Sequence, residues 1–342
     1  MNKYPIYEQM KIADTPLVIA EIGANYGGIE IVKQMVRAAA SCGVDMVKFQ
    51  TFRAETIATP GSFFTFEDGS RVSQFDFFKS HELSKDDHDA LDSLCKELEI
   101  NWLSTPSHSS DLELLGKYDL PFYKTGSDDL TNLPFLRTIA ETGRPILIST
   151  GMCTLSEIEA AVDTIWATGN QQLVLLHCVV SYPSRPEDAN LKVIETLQKA
   201  FGLPVGLSDH TQDEFTSILA TQMGAVVIEK HFTLDHALKL PDHEASLDPV
   251  QFSRLVKRVR LVSKALGDGI KRIQPTEQKW RQAARKSLFA AVDIPAGTII
   301  TEQHIAIRRP SEGIHPHHLP LVLGRIAKTF IPAETLIQWD MI

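Results

Sequence analysis

Cysteine is scarce in this chain of 342 residues. Cys42, Cys95, Cys153 and Cys178 lie far apart with no Cys-x-x-Cys pair, which argues against a zinc ribbon and a disulfide framework and fits a reducing compartment. Long apolar runs are missing too. No stretch approaches the roughly 18 to 20 apolar residues of a membrane span, and residues 1–11 lack the apolar run of a signal peptide, so a soluble, cytoplasmic protein is expected. Positive charge is in deficit, with 34 lysines and arginines against 43 aspartates and glutamates and a formal charge of -9. A surface built to release counterions from nucleic acid is not expected, nor is a membrane partner. An anionic ligand must therefore meet a local cationic pocket. What is present, 43% hydrophobic and 23% charged residues, is the composition of a packed globular protein, and the length suits one large or two unequal domains.

Short apolar runs alternate with helical patterns at 17–22, 46–50, 102–105, 122–125, 146–150, 173–177, 205–208 and 226–231. Runs of this length without alternation read as strands buried on both faces, hence a parallel sheet covered by helices. Thr154-Leu-Ser-Glu157 forms a capping-box pattern, followed by Ile158, Ala161, Val162 and Ile165 at helical spacing. Thr211-Gln-Asp-Glu214 repeats the pattern ahead of Phe215, Ile218 and Leu219. Eight βα units in roughly 250 residues predict a (β/α)8 TIM barrel over 1–270 rather than an open doubly wound sheet. A linker is expected over 271–285 and a small β-rich domain over 286–342. There Ile294-Pro-Ala-Gly297 and Ile331-Pro-Ala-Glu334 are near copies, predicting two similar β units that face each other. Residues 61–73, with Phe63, Phe64 and Phe66, read as a long loop and candidate lid.

Barrel ligands sit at the carboxyl ends of the strands. Glu21, Lys48, Thr105, Lys124, Ser149, His177, Ser208 with His210, and His231 occupy those ends in order. Lysine is seldom buried without a partner, so Lys48 and Lys124 either pair with carboxylates or converge on an anionic ligand, with Thr105, Ser127, Ser149 and Ser208 as hydroxyl donors. Both on one mouth favour the second reading. His210 and His231 follow adjacent strands and offer two imidazoles to one divalent cation, or are hydrogen-bonded structural residues. Asp242 adds a nearby carboxylate or caps a helix. His315, His317 and His318 read as solvated, and Cys153 and Cys178 as small buried hydrophobes.

The ordered segments Ile19-Ala-Glu-Ile-Gly-Ala-Asn25, Val47-Lys-Phe-Gln-Thr51, Ser104-Thr-Pro106, Tyr123-Lys-Thr-Gly-Ser127, Ser149-Thr-Gly-Met152, Leu176-His-Cys178, Gly206-Leu-Ser-Asp-His-Thr211 and Glu229-Lys-His-Phe-Thr233 resemble the sialic acid synthase family, over nearly the whole chain. Ser287-Leu-Phe-Ala290, Ile294-Pro-Ala-Gly297 and Arg308-Arg-Pro310 are similar to the antifreeze-like SAF domain attached to these synthases. The resemblance implies a barrel with a SAF domain in a domain-exchanged homodimer. It also implies condensation of phosphoenolpyruvate with an N-acylated amino sugar, N-acetylmannosamine or a diacetamido-trideoxy hexose, with phosphate lost by C–O cleavage. Lys48, Thr105, Lys124, Ser127, Ser149 and Ser208 would hold phosphoenolpyruvate, and His210 and His231 a manganese, magnesium or cobalt ion. Glu21, Lys48, Lys124 and Asp242 would be catalytic, and Gln50, Asp129, Tyr182, Asp242 and the partner-reaching Arg309 would meet the sugar.

Several positions depart from the family pattern. Asp129 stands where members commonly carry glutamate, Tyr26 where many have histidine, Val179-Val180 where a hydroxyl or amide pair is usual, and Leu240 where glycine is common. A more apolar acceptor follows from the valines. The rival readings are a synthase acting on a phosphorylated aldose and a non-catalytic carbohydrate-binding barrel.

Overall fold

The structure, a computed structural model, describes residues 4–12, 15–25, 27–65, 69–237 and 243–342. Tyr26, Phe66, Leu240 and Asp242 lie outside the described residues. The chain divides into two compact units, Met1–Gly267 and Asp268–Ile342.

The first unit is an eight-stranded parallel barrel: β1 (Leu17–Glu21), β2 (Met46–Thr51), β3 (Asn101–Pro106), β4 (Tyr123–Thr125), β5 (Ile146–Ser149), β6 (Leu173–Cys178), β7 (Val205–Asp209) and β8 (Val227–His231). The hydrogen-bonded order is β3-β2-β1-β8-β7-β6-β5-β4, and β3 and β4 come back into contact to close the ring. Register brings the chemistry together. Glu21 lies opposite Lys48 on one side and His231 on the other, and Glu229 lies opposite Ser208.

Strand side chains alternate between two environments, as a pleat requires. Val18, Ala20, Val47, Phe49, Ile146, Ile148, Leu173 and Leu175 face the helical layer and form the main core. Ile19, Met46, Leu103, Leu147, Val174, Leu176 and Val227 face inward near the amino ends of the strands, where Tyr4, Tyr7 and Met10 join them. The last two belong to the helix Pro5–Ile12, which plugs that end; Tyr7 meets Phe122 edge-on at 6.4 Å between centroids. Each such buried side chain contributes on the order of 1.5–3 kcal/mol. Gly206 is the inward residue of β7 at this level, and a Cβ there would come within 2.6 Å of the Val227 carbonyl oxygen. Only glycine fits.

Local sequence signals have mixed outcomes. The Thr154 capping box forms, with Thr154 N donating to Glu157 Oε2 at 2.7 Å. The Thr211 box does not form, because the Thr211 hydroxyl donates to Asp209 Oδ1 at 2.8 Å instead. The following helix, Phe215–Gln222, buries Thr216, Ser217, Ala220 and Thr221 and leaves Phe215 and Leu219 exposed, the reverse of its apolar pattern. The reason lies beneath it. Asp209 and Lys230, 3.0 Å apart in the helical layer, need the Thr216 and Ser217 hydroxyls, each 2.6 Å from Asp209 Oδ2. The segment expected as a loop after β2 holds an antiparallel hairpin, Phe63–Thr65 with Arg71–Ser73, and a helix, Gln74–Ser80. No helix among the described residues is long and apolar enough to cross a membrane.

The second unit takes in the segment expected as a linker, which carries the helix Gln278–Ala284. Its β9 (Ser287–Ala290) and β10 (Ile305–Arg308) pair antiparallel around a core of Leu288, Ile294, Ile300, Ile314, Ile331 and Ile337. The two repeat copies do face each other: Ile294 and Ile331 exchange backbone hydrogen bonds of 2.8 and 2.9 Å. Their fourth residues, Gly297 and Glu334, both take left-handed backbone, at φ 85° and 66°. Glycine suits that position and glutamate is strained there.

Candidate active site

The inward parity that builds the plug continues up each strand, so Glu21, Lys48, Gln50, Thr105, Lys124, Ser149, Ser208, Glu229 and His231 also point into the barrel near the carboxyl ends. They line a cavity of ≈1290 Å³. Of the sequence-derived candidates, Glu21, Lys48, Gln50, Thr105, Lys124, Ser127, Asp129, Ser149, Tyr182, Ser208, His210 and His231 all line it. Arg309 belongs to the second unit, where it borders a smaller cavity of ≈350 Å³ with Lys279, Gln282 and Glu312. His177 is not in the cavity. Its Nε2 meets the Ala189 carbonyl at 2.7 Å on the helical side, and Cys178, one residue on, takes the inward place.

The floor is an ionic cluster. Lys48 Nζ is 2.8 Å from Glu21 Oε2 and 3.9 Å from Glu229 Oε2, and Lys124 Nζ is 3.5 Å from Glu229 Oε1. Lys124 donates to Ser149 Oγ at 2.7 Å and Lys48 to Thr105 Oγ1 at 3.4 Å. Ser208 donates to Glu229 Oε1 at 2.9 Å, and Gln50 Nε2 to Glu21 Oε1 at 2.9 Å. Ser127 Oγ accepts from Gly151 N at 3.0 Å. Burial works against every charge here, but partners decide the outcome. For Lys48, Glu21 and Glu229 overcome burial and raise its pKa, whereas Lys124 ends below its ordinary value through burial, with Glu229 opposing and Lys48 adding repulsion. Burial also disfavours the Glu229 carboxylate, yet Lys124, Lys48 and the Ser208 hydrogen bond hold its pKa well below the usual range. The softer charge is Lys124, the one an incoming anion would stabilise.

Above the floor, the rings of His210 and His231 are 5.3 Å apart between centroids, and Tyr182 lies 4.4 Å from His210. His210 Nδ1 meets the Val179 carbonyl at 2.9 Å. A carbonyl only accepts, so Nδ1 carries the proton and Nε2 presents a lone pair. Burial first, then the neighbouring His231, lowers His210 to about 4, leaving it neutral at physiological pH. A neutral imidazole with its tautomer fixed from behind suits a metal ligand. Among the described residues no group of three histidine, cysteine, aspartate or glutamate side chains gathers around one ion position. Asp129, half-buried at the rim, has its carboxyl pushed up to about 6 by burial, opposed by the hydrogen bond from Asn132.

Sequence reasoning passed over Glu229 as a functional residue, although it bridges both lysines. The available signal was parity: Glu229 stands two residues before His231 on the same strand and so shares its face. Asp209 and Lys230 have the opposite parity and tie together the strand ends that carry His210 and His231.

Fold and site thus define a (β/α)8 barrel with a buried ionic cluster at its mouth, followed by a small β-rich unit. Comparison with known proteins makes this specific. The NeuB family matches residues 35–271 and the SAF domain residues 285–342. The N,N'-diacetyllegionaminic acid synthase of Campylobacter jejuni is 39% identical over 94% of this chain and 98% of its own, and that of Legionella pneumophila 37% identical over 96% and 95%. The solved N-acetylneuraminic acid synthetase of Leptospira borgpetersenii, in complex with citrate, is 31% identical and matches with a TM-score of 0.71 over 78% of this chain and 91% of that one. The chain belongs to the NeuB family.

Proposed function

We propose that the protein is a nonulosonic acid synthase, a transferase that joins phosphoenolpyruvate to the open-chain aldehyde of an N-acylated amino sugar, N-acetylmannosamine or a diacetamido-trideoxy hexose. The observation that carries this reading is the pair of buried ammonium groups, Lys48 and Lys124, ringed by hydroxyls at one mouth. A small molecule bearing both phosphate and carboxylate matches two cations with Thr105, Ser127, Ser149 and Ser208 around them.

In the reaction, C3 of the enol forms a bond to the aldehyde carbon, and the aldehyde oxygen takes a proton. Water adds through its oxygen to C2 and gives up a proton. The bond between C2 and the phosphate oxygen breaks, its electron pair leaves with inorganic phosphate, and the C2 hydroxyl becomes the ketone as its proton passes to the phosphate. Glu21 accepts the water proton and steadies the positive charge that builds at C2. Lys48 and Lys124 hold the anionic groups and favour departure of phosphate. Gln50, Asp129, Tyr182 and Asp242 contact the sugar, and Arg309 reaches it from the partner of a domain-exchanged homodimer. His210 and His231 would hold a manganese, magnesium or cobalt ion, which would supply Lewis acidity to polarise the aldehyde.

The test is direct. Incubation with phosphoenolpyruvate, manganese and a panel of acceptors should release phosphate and yield a product heavier than its acceptor by the pyruvate unit. Absence of both with every acceptor sinks the reading.

A further inference from the structure

The active-site cavity has two chemically opposite walls. Its ionic floor holds both of its lysines, and among the described lining residues there is no further lysine or arginine. On the side formed by the segment after β2, it is lined by Phe64, Val72, Phe77, Phe78 and Ile57, with His81, whose Nδ1 meets the Phe77 carbonyl at 2.6 Å, as the polar member of that segment. These are not scattered contacts. Phe64 meets Phe77 and Phe78 edge-on at 5.5 and 6.0 Å, and Phe78 meets Phe52 at 5.2 Å. Phe52 and Ala24, just beyond β2 and β1, are buried under Phe77 and Phe78 and anchor the cluster. Phe64 and Val72 face each other across the hairpin, so its register presents both to the cavity. Across the cavity stand Val180 and the exposed Met152. On the synthase reading, the acceptor's aldehyde lies beside His210 and His231, above the lysine floor, and its distal carbons extend toward this rim.

We infer that Phe64 and Val72, backed by Phe77 and Phe78, are specificity-determining residues that select an acceptor whose distal carbon is a methyl, a 6-deoxy amino sugar, over one bearing a 6-hydroxyl or 6-phosphate. A hydroxyl placed against the Phe64–Val72 face loses water without gaining a partner, and a phosphate there meets no lysine or arginine among the described lining residues. The discrimination expected from one apolar contact is about 10- to 200-fold.

The experiment uses the full-length, metal-loaded protein and two acceptors that differ by one oxygen, N-acetylmannosamine and its 6-deoxy analogue, with kcat/KM read from phosphate release. Wild type should favour the 6-deoxy sugar by about tenfold or more. Phe64→Ala should shrink that preference to about threefold or less with KM for phosphoenolpyruvate unchanged, and Phe64→Leu should keep most of it. Equal use of the two sugars by wild type, or an equal loss on both in Phe64→Ala, overturns the assignment and leaves the synthase reading standing. No phosphate release with these or a diacetamido-trideoxy hexose defeats the synthase reading, and this assignment with it.

Discussion

The two ends of the barrel are made from the same strands with the same alternation, yet they do opposite things. At the amino end the inward residues are Ile19, Met46, Leu103, Leu147 and Val174, sealed by Tyr7 and Met10. Two to four residues further along, the inward positions become Glu21, Lys48, Thr105, Lys124, Ser149, Ser208 and Glu229. The apolar end contributes stability at no functional cost. The ionic end gathers charges that must be desolvated to meet one another, an arrangement that rarely adds net stability and that makes sense as a site kept ready for a ligand. The polar pair Asp209 and Lys230 shows the contrast from the other face: outward parity, complete partnering and a structural role.

That contrast can be broken most severely by removing metal. Chelation should lower turnover by at least about a hundredfold and added manganese, magnesium or cobalt should restore it, whereas the plugged end and the melting temperature should hardly respond. Undiminished turnover in metal-free protein would remove the role given to His210 and His231. Next is Lys124→Ala, expected to lower kcat/KM for phosphoenolpyruvate by about a hundredfold to a thousandfold, since one partner of a buried charge cluster is lost. Calorimetric titration giving wild-type affinity would count against the anion pocket.

The complementary change is at the other end. Met10→Ala should cost about 2–4 kcal/mol in urea unfolding, with kcat/KM within about twofold of wild type. A large activity loss with little change in stability would erase the division between the ends. The smallest effect concerns the rim. With its carboxyl at about 6, Asp129 is ionised above that pH and protonated below it, so as a hydrogen-bond acceptor for the sugar it is lost as pH falls through 6. The acceptor kcat/KM should drop by about tenfold over that limb, and Asp129→Asn should flatten it. A limb that persists in the variant assigns the titration elsewhere.

Much of this was legible without coordinates. The eight apolar runs marked the strands within a residue or two, because buried parallel strands need continuous apolar stretches whatever their neighbours. The repeat at Ile294 and Ile331 announced its own pairing. Failures came where a local motif competed with a distant charge. Thr211 looked like a helix cap, but Lys230, nineteen residues later, holds Asp209 beneath it and draws the hydroxyl away. The helix after it turned its apolar side outward for the same reason.

By itself the sequence determined which residue types stand at the strand ends, since strand length and burial are written in local composition. Closure of the barrel decided what they do to each other. Lys48, Lys124, Glu21 and Glu229 come from four strands, and only the register of a closed sheet sets their separations. Charge energies depend on those separations and on exclusion of water, and neither quantity exists until the chain has folded.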